Sequence, residues 1–532
     1  MLAPVPLPSD ANAAWPPADD QPYLRDVATA DAWYSGDPAA LAKIYTSADD
    51  APRTIVERAR RWFWGTQDRT GRNDPSRLHL PAAADIASTS ADLLFGDTPT
   101  LKIPAAHEAR VVEADEDDSD DGQVEVQAAA DPRAVAAEER LAELVELDGI
   151  ASTLLEAAEV GSALGGVYLR PTWDVSLVER PILTVVHADR AVPEFRLGQL
   201  TAVTFWRIVK VDGAGAVWRH LERHEPGQVE HGLYVGTKDH IGGRIHLDRH
   251  QETAALLGEH GADDDGVVVL PGGIVGLGVR YVPNVLPNRK HRARPLGRAD
   301  TQGVEGLMDA LDETWTSWLR DIRLGKARII VPDEFIDRSG GRGAGASFDL
   351  DQEVFSPLGM DPSSQEKAGI TPSQFAIRTE EHARTALALF ESVARTAGYS
   401  PQSFGMEGNG AQQTATEVDA REDRSTRTTN RKRRYWRSAI EDVMHMMLVI
   451  DAEIFSSGVE PMRPSLEWAM GGSDLRETAS SLNLINLAQA ASIETRVRML
   501  HPDWDEPDVV AEVAKVREEI GVAAPDPTGG LP

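Results

Sequence analysis

The chain has 532 residues, with 85 acidic and 54 basic side chains, a formal net charge of −31, 41% hydrophobic residues, 6% aromatic residues and no cysteine. Its length implies three or four structural units at about 100–200 residues each. The missing cysteines exclude disulfides, thiolate nucleophiles and Cys-based zinc sites, and the acidic balance argues against a tight, sequence-specific nucleic-acid binder, which usually presents a basic surface.

No apolar run approaches the roughly 18–20 residues of a membrane span. The start, MLAPVPLPSD, lacks the basic opening and apolar core of a secretion signal. A soluble intracellular product is expected, and no membrane partner.

Residues 1–22, rich in Pro, Ala and Asp, read as an extended arm. The segment from Tyr23 to about Gly96 reads as helical, with candidates at Arg53–Trp64 and Asp85–Phe95. The acidic run at 113–121 (EADEDDSDD) repels itself and reads as a solvated loop. Asp131 and Pro132 then supply an N-cap and a first helical position. That helix should end near Gly149, with another following through Leu164.

Residues 165–285 change character. Short apolar stretches (VYLRPTW, ILTVVHA, AVTFWRIVKV, AVWRHLERH, HGLYVG) alternate with turn signals such as Asp212–Gly213 and Gly242–Gly243. A mostly antiparallel β region is predicted.

From Asp300 the pattern is helical again. Val304, Leu307, Leu311, Trp315, Trp318 and Ile322 recur at three- and four-residue spacing and form one apolar stripe. ARIIVP reads as a short strand ending at Pro332, and 338–372 as irregular. Thr371-Pro-Ser-Gln374 has the form of a capping box opening a second long helix, continued by Ala383, Leu387, Phe390 and Val393 and closed by Gly398. A glycine-bearing loop runs from Tyr399 to Gln413, longer than most helix connections. Thr414-Ala-Thr-Glu417 is a second capping box, opening the longest helical stretch, to about Phe455. Beyond it lie a short strand (PSLEWAM), further helices and a Pro/Gly tail.

Catalytic motifs are weak. Gly325–Lys326 lacks the upstream Gly and following Ser/Thr of a phosphate-binding loop, and no GxSxG elbow occurs. His220/His224 and His246/His250 have i,i+4 spacing, but Leu221 and Leu247 stand where a zincin needs Glu. Lying in the β region, they read as ordinary surface histidines. Asp309, Asp312 and Glu313 read as a solvated or inter-subunit face of their helix.

The sharpest local feature is basic. Arg421, Arg424, Arg427, Arg431 and Arg434 follow helical steps, and Lys432, Arg433 and Arg437 widen the face. Two readings stay open: contact with DNA phosphates, or pairing with acidic residues of the same chain or a neighbouring subunit.

The order of these elements, with several local phrases, resembles the portal proteins of long-tailed double-stranded DNA bacteriophages, especially those infecting actinobacteria. The phrases are RLHLPAAADIASTSADLLFGDTP (77–99), RHEPGQVEHGLYVG (223–236), YVPNVLP (281–287), LGRADTQGVEGLMDALDETWTSWLRDIRLGKARIIVP (296–332), FAIRTEEH (375–382), AGYSPQSFG (397–405), TATEVDARED (414–423) and LHPDW (500–504). The match covers most of the chain beyond about residue 23. The acidic run is outside the shared pattern and reads as an insertion.

The resemblance implies an α+β portal fold assembled as a ring, typically of twelve subunits, at one vertex of the virion capsid. By position, residues 1–22 are the arm and 23–299 the wing, helical over 23–164 and β-rich over 165–285. Residues 300–326 and 372–398 are the two stem helices, with the clip between them at 327–371. The tunnel loop is 399–413, the long wing helix and return strand 414–473, the crown 474–520 and the tail 521–532. Ser403, Phe404, Gly405, Met406, Glu407, Gly408, Asn409 and Gly410 would face DNA, and Leu311, Trp315, Trp318 and Ile322 would pack the stem against a neighbouring subunit. The implied partners are non-specific double-stranded DNA, the terminase large subunit, a head–tail adaptor, the major capsid protein and scaffold. The chain would be made in the host bacterial cytoplasm. No catalytic residue, metal or cofactor is implied. An acidic lumen would let DNA pass without adhering. The alternatives are a metal-dependent nuclease or phosphoesterase acting on phage DNA, which needs a carboxylate cluster, and another minor capsid structural protein.

Overall fold

A computed structural model describes residues 7–49, 78–107, 110–111, 128–129, 131–258, 261–324, 328–330, 371–373, 378–406, 415–468, 491–500, 509–510 and 512–517. The chain divides into two compact units, one built from Met1–Ile44, Pro81–Gln302 and Ala394–Pro532, the other from Tyr45–Leu80 and Gly303–Val393. Both α and β structure are present, and no described helix is long and apolar enough to cross a membrane. The helix candidate at 53–64, the acidic run, nearly all of the 327–371 segment and more than half of the 474–520 segment lie outside the described residues.

Helices α1 (Gln21–Ser35), α2 (Pro38–Asp49), whose residues from Tyr45 on belong to the second unit, and α3 (Ala82–Phe95) open the fold of the first unit. The third begins ahead of the Asp85 start predicted from sequence because Ala82 and Ala83 join its buried face. Asp131 caps α4 (Pro132–Leu147) as expected, its carboxylate accepting from Arg133 N at 3.0 Å. Helix α5 (Ile150–Leu164) follows and presents Ala157, Ala158 and Gly161, small residues that allow close helix packing. The longest helix, Ala415–Glu453, drives its second half into this core. There Trp436, Ile440, Val443, Met444 and Met447 are buried, with Trp436 edge-on to Phe95 at 5.0 Å. Each fully buried large side chain contributes roughly 1.5–3 kcal/mol, so the amphipathic stripe, not local propensity, holds so long a helix.

The β region is antiparallel throughout, as its alternating pattern implied. Thr100–Lys102 is β1 and pairs with the strand Ser465–Glu467. A three-stranded sheet sets β2 (Gly166–Thr172) between β3 (Ile182–His187) and Arg280–Pro283. The larger sheet runs through β4 (Ala191–Arg196), β5 (Gln199–Val211), β6 (Val217–Glu225) and β7 (Gln228–Gly236), continuing to Gly243–Ile245 and Val267–Val269. At the hairpin joining β5 to β6, the Asp212 carboxylate accepts from Ala214 N and Ala216 N at 3.0 and 2.8 Å. Of the arm, residues 7–20 are described; they turn at Asp10–Ala13 and Pro17–Asp20 and are not free. Leu7 and Trp15 are buried with Leu221, Tyr234 and Ile241, and Ala14 forms a β-bridge with His240.

The second unit holds helices α6 (Glu305–Leu324) and α7 (Thr379–Ala397), the latter crossing into the first unit at its last turn. Both start later than predicted. Asp300 is committed to a buried network described below, and Gly303, at φ 94°, breaks the backbone before Glu305 can begin the helix. The Thr371 capping box does not form. Thr371–Ser373 is a strand paired antiparallel with Arg328–Ile330, and main-chain pairing overrides the local capping signal. Pro372 fits a two-stranded ribbon, where its missing N–H is tolerated.

Two further expectations change here. Leu311 is buried to 1% exposure within its own subunit, so it is not offered to a neighbour. Trp315 and Trp318 are half-buried, 5.1 Å apart, and Trp318 stacks on His382, while Ile322 is exposed. Asp312 is no solvated carboxylate. At 1% exposure it accepts from Tyr45 Oη at 2.6 Å and Leu80 N at 2.8 Å, with His79 Nδ1 at 3.0 Å. Replacing a carboxylate that satisfies buried donors leaves them orphaned, at about 1–3 kcal/mol each. Asp312→Ala should therefore destabilise this unit by about 2–4 kcal/mol and speed proteolysis at residues 78–80, read by urea unfolding and mass-spectrometric mapping of the first cuts.

Candidate functional site

The longest helix, Ala415–Glu453, is labelled α8 from here on. Two of its faces matter. One carries Ser425, Thr428 and Lys432, buried at three- and four-residue spacing. The adjacent one carries Arg424, Arg427, Arg431, Arg434 and Arg437, all exposed.

The buried face clamps the loop that follows α7. Gly398 takes φ 110°, outside the reach of ordinary side chains, and turns the chain so that Tyr399 N donates to Ala394 O at 3.0 Å. Thr428 Oγ1 donates to Gly398 O at 2.7 Å. Ser425 Oγ accepts from Ser400 N at 2.8 Å and lies 2.8 Å from Ser403 Oγ. Pro401–Phe404 forms a short 3-10 turn, with Phe404 edge-on to Tyr399.

Lys432 completes the clamp. Its ammonium sits at 2% side-chain exposure and donates to Asp300 Oδ2 at 2.6 Å, Ser90 Oγ at 2.7 Å and Tyr399 Oη at 2.8 Å. All its protons are thereby used. Asp300 also accepts from Ser162 Oγ at 2.6 Å, Tyr399 Oη at 2.7 Å and Asn284 Nδ2 at 2.9 Å. The network thus joins α3, α5, the end of the three-stranded sheet, the approach to α6, the loop root and α8. Burial by itself opposes ionisation of Asp300, but the Lys432 charge and the bonds from Lys432, Ser162 and Tyr399 hold its carboxyl below the ordinary range. Burial pulls Lys432 below its usual value, with Asp300 opposing, and burial together with Asp300 raises Tyr399.

For Lys432, which the sequence reading set on the widened basic face, the structure favours the reading of pairing with an acidic residue of the same chain, Asp300. Helical steps place it beside the arginines, but the rotation of α8 turns it inward. Ser90, Ser162, Asn284 and Asp300 were not singled out from sequence, because nothing local marks a serine or an asparagine as the partner of a lysine hundreds of positions away. Arg433 is half-buried and lies over the Trp468 ring at 5.0 Å. Ser403 and Phe404 are half-buried against their own chain, while Gly405 is exposed at φ 69°. Met406 is half-buried. Glu407, Gly408, Asn409 and Gly410, and the side chain of Arg421, lie outside what is described. Arg424, Arg431, Arg434 and Arg437 have no ion-pair partner among the described residues.

His220 and His224 also correct the sequence reading. Both are buried, at 5% and 3% exposure, on one face of β6, while His246 is exposed. Among the described residues no group of His, Asp and Glu is arranged to hold a metal ion.

No protein-family model and no curated protein matches the chain. Among solved structures it is similar to the neck of an empty gene transfer agent (GTA) particle computed with C6 symmetry, at a TM-score of 0.35 and 14% identity over 86% of this chain and 97% of that one. It is similar also to the neck of a native GTA particle computed with C12 symmetry, at 0.35 and 12% over 92% and 96%. A TM-score of 0.35 is too low to carry a fold assignment.

Breaking a buried pair from one side costs about 3–5 kcal/mol, more than removing both charges. Lys432→Met should lower unfolding free energy by that amount in urea titrations, with faster proteolysis near 399–406. Adding Asp300→Asn should restore part of it. The acid dependence has a definite sign. The Asp300 carboxyl is depressed in the folded state, so its contribution is present above the ordinary carboxylate range and lost as pH falls through the depressed value. The stability difference between the native protein and Asp300→Asn should shrink below about pH 4.

Proposed function

We propose that this chain is a portal subunit: one member of a ring that conducts double-stranded DNA into a phage-type capsid and out again. The observation that carries the reading is the sequence of parts around the clamped loop. An amphipathic helix, a paired strand ribbon flanking the 331–370 segment, a second amphipathic helix, a loop with a fixed root and a long arginine-faced helix follow one another in chain order. The phrases shared with portal proteins fall on these same parts.

The division of labour is physical. A channel around a polymer of different symmetry needs a contact element that adjusts while its base holds still. The Ser425, Thr428 and Lys432 bonds fix the base of the loop, and Gly405 and the residues after it form the DNA-facing part. Trp315, Trp318 and exposed Ile322 supply stem packing between subunits, in a heterologous contact that repeats until the ring closes. The net charge of −31 favours passage of DNA over adhesion.

In this reading the 327–371 segment meets the terminase large subunit and later a head–tail adaptor. The major capsid protein and scaffold surround the ring, which belongs to the virion and has about twelve subunits. The chain performs no covalent chemistry.

The exposed arginines of α8 have two candidate partners, DNA phosphates or acidic residues of a neighbouring subunit. Arg431 and Arg434 lack an ion-pair partner among the described residues of their own chain, which favours a partner outside it.

Negative-stain electron microscopy of the purified protein should give rings of about a dozen subunits with a hole wide enough for duplex DNA; a species that stays monomeric or dimeric at high concentration would overturn the reading. With Arg431→Glu and Arg434→Glu together, rings that form normally but retain less DNA in filled particles identify phosphate contact. Failure to assemble identifies a subunit contact.

A further inference from the structure

Two stretches of this acidic chain exclude carboxylates. Residues 266–299 contain no Asp or Glu, and neither do residues 424–440, in a chain with 85 acidic side chains. The first stretch ends in PNRKHRARPLGR (287–298), and the second is the arginine-bearing part of α8. Both belong to the first unit, and the fold brings them together. Lys432 bonds Asp300 at 2.6 Å, which sets its neighbour Arg431 close to Arg298, two positions before Asp300.

The 285–298 loop is closed on itself. Arg298 N donates to Val285 O at 3.1 Å. Buried Asn288 ties the two arms, its Nδ2 donating to Gly297 O at 2.8 Å while its Oδ1 accepts from Lys290 N and His291 N at 3.1 and 3.2 Å. Arg289 is thereby held near Arg298. Three other basic groups of the loop are spent within the chain. Lys290 and His291 meet Asp26 at 3.1 and 2.7 Å, and Arg294 meets Asp20.

Arg289, Arg298 and Arg431 are not spent. The first and last are exposed and Arg298 is half-buried, and no guanidinium of the three has a hydrogen bond or ion pair among the described residues. Burial and the charge of Arg289 pull Arg298 below its ordinary value, Arg431 adds to the pull and Asp300 opposes it, so the three cations share one field. Asp300 relieves little, because its oxygens already serve Lys432, Ser162, Tyr399 and Asn284. Arg298 Nε is closed within the fold without a partner, which leaves the Nη edge as the part of Arg298 that a ligand meets. Like charges gathered without a free carboxylate repel one another, and an anion relieves that repulsion. A guanidinium fork matches carboxylate and phosphate oxygens alike. Three forks carry more N–H donors than the two oxygens of one carboxylate accept, whereas phosphate supplies more oxygens and more charge.

We propose that Arg289, Arg298 and Arg431 form a site for a phosphate group, whose oxygens accept from guanidiniums that the closed loop and the Lys432–Asp300 pair hold in advance. Such preorganisation cuts the ordering cost of binding. The phosphate has two sources, a small phosphomonoester or the backbone of duplex DNA. The site itself does not rest on the portal reading; only the second source does.

The test uses the full-length chain at constant ionic strength. It is titrated calorimetrically with inorganic phosphate, with adenosine 5′-monophosphate, with a short DNA duplex bearing 5′-hydroxyl ends, and with poly-glutamate as a carboxylate control. At least one phosphate probe should bind saturably, with a Kd on the order of 1 mM or tighter. Binding of phosphate or the nucleotide identifies a phosphomonoester. Binding of the duplex alone identifies the DNA backbone, and ring formation in electron microscopy tests the portal reading separately. Arg298→Met, Arg289→Gln and Arg431→Gln should each weaken that binding roughly tenfold. Arg249→Gln, which removes an exposed arginine beside Asp248, should not. Thermal unfolding midpoints report whether each variant is folded, and the two substitutions at exposed positions carry the test if Arg298→Met is not. No saturable binding of any phosphate probe would overturn the proposal. So would poly-glutamate binding at least as tightly, the folded site variants binding like the native protein, or Arg249→Gln weakening binding equally.

Discussion

The ion pair between Lys432 and Asp300 organises the first unit. A lysine ammonium with no solvent contact survives only if each of its protons finds an acceptor, and here Asp300, Ser90 and Tyr399 provide them. Meeting that demand fixes helix α8 in rotation, brings Tyr399 to the root of its loop and holds Asp300 at the approach to α6. Because these groups come from segments far apart in the chain, none of them can be satisfied unless the whole unit is assembled. The pair thus acts as a registration device: a misrotated α8 would bury an uncompensated charge.

The same logic explains the two-sided character of α8. Its inward serine, threonine and lysine serve the loop root, and its core stripe from Trp436 to Met447 anchors the helix in apolar packing. The remaining surface is left to arginines. A helix gripped by both polar and apolar contacts can present a row of charges at fixed spacing, which a loosely held helix cannot. Whether those charges meet phosphate or carboxylate, the geometry that presents them is set from beneath.

Buried polar groups recur in the second unit and in the large sheet, and in each place they answer a local need. Asp312 collects donors from Tyr45, His79 and Leu80 and ties a preceding segment to α6. On β6, Glu222 is compensated by Arg170 and His224.

Much of the architecture was legible in sequence because its signals are local. Asp131 and Pro132 start a helix by satisfying the first turn, Gly398 ends one by adopting a backbone that other residues resist, and short apolar stretches separated by turn signals announced the antiparallel β region. The apolar stripe on α6 was equally plain. What sequence could not supply was which face of each element turns inward, since that depends on partners remote in the chain. Lys432 looks like one more basic residue until Asp300 and Tyr399 lie beside it, Asp312 looks solvated until Leu80 and Tyr45 reach it, and His220 and His224 look superficial until the face of β6 is covered. The Thr371 capping box failed for the same reason: a strand at 328–330, invisible to a local rule, claimed its backbone. Local stereochemistry determined the kind and order of the elements and some of their ends, as at Asp131 and Gly398; the tertiary structure alone decided which polar side chains are buried, because only assembled partners can offset the cost of taking charge out of water.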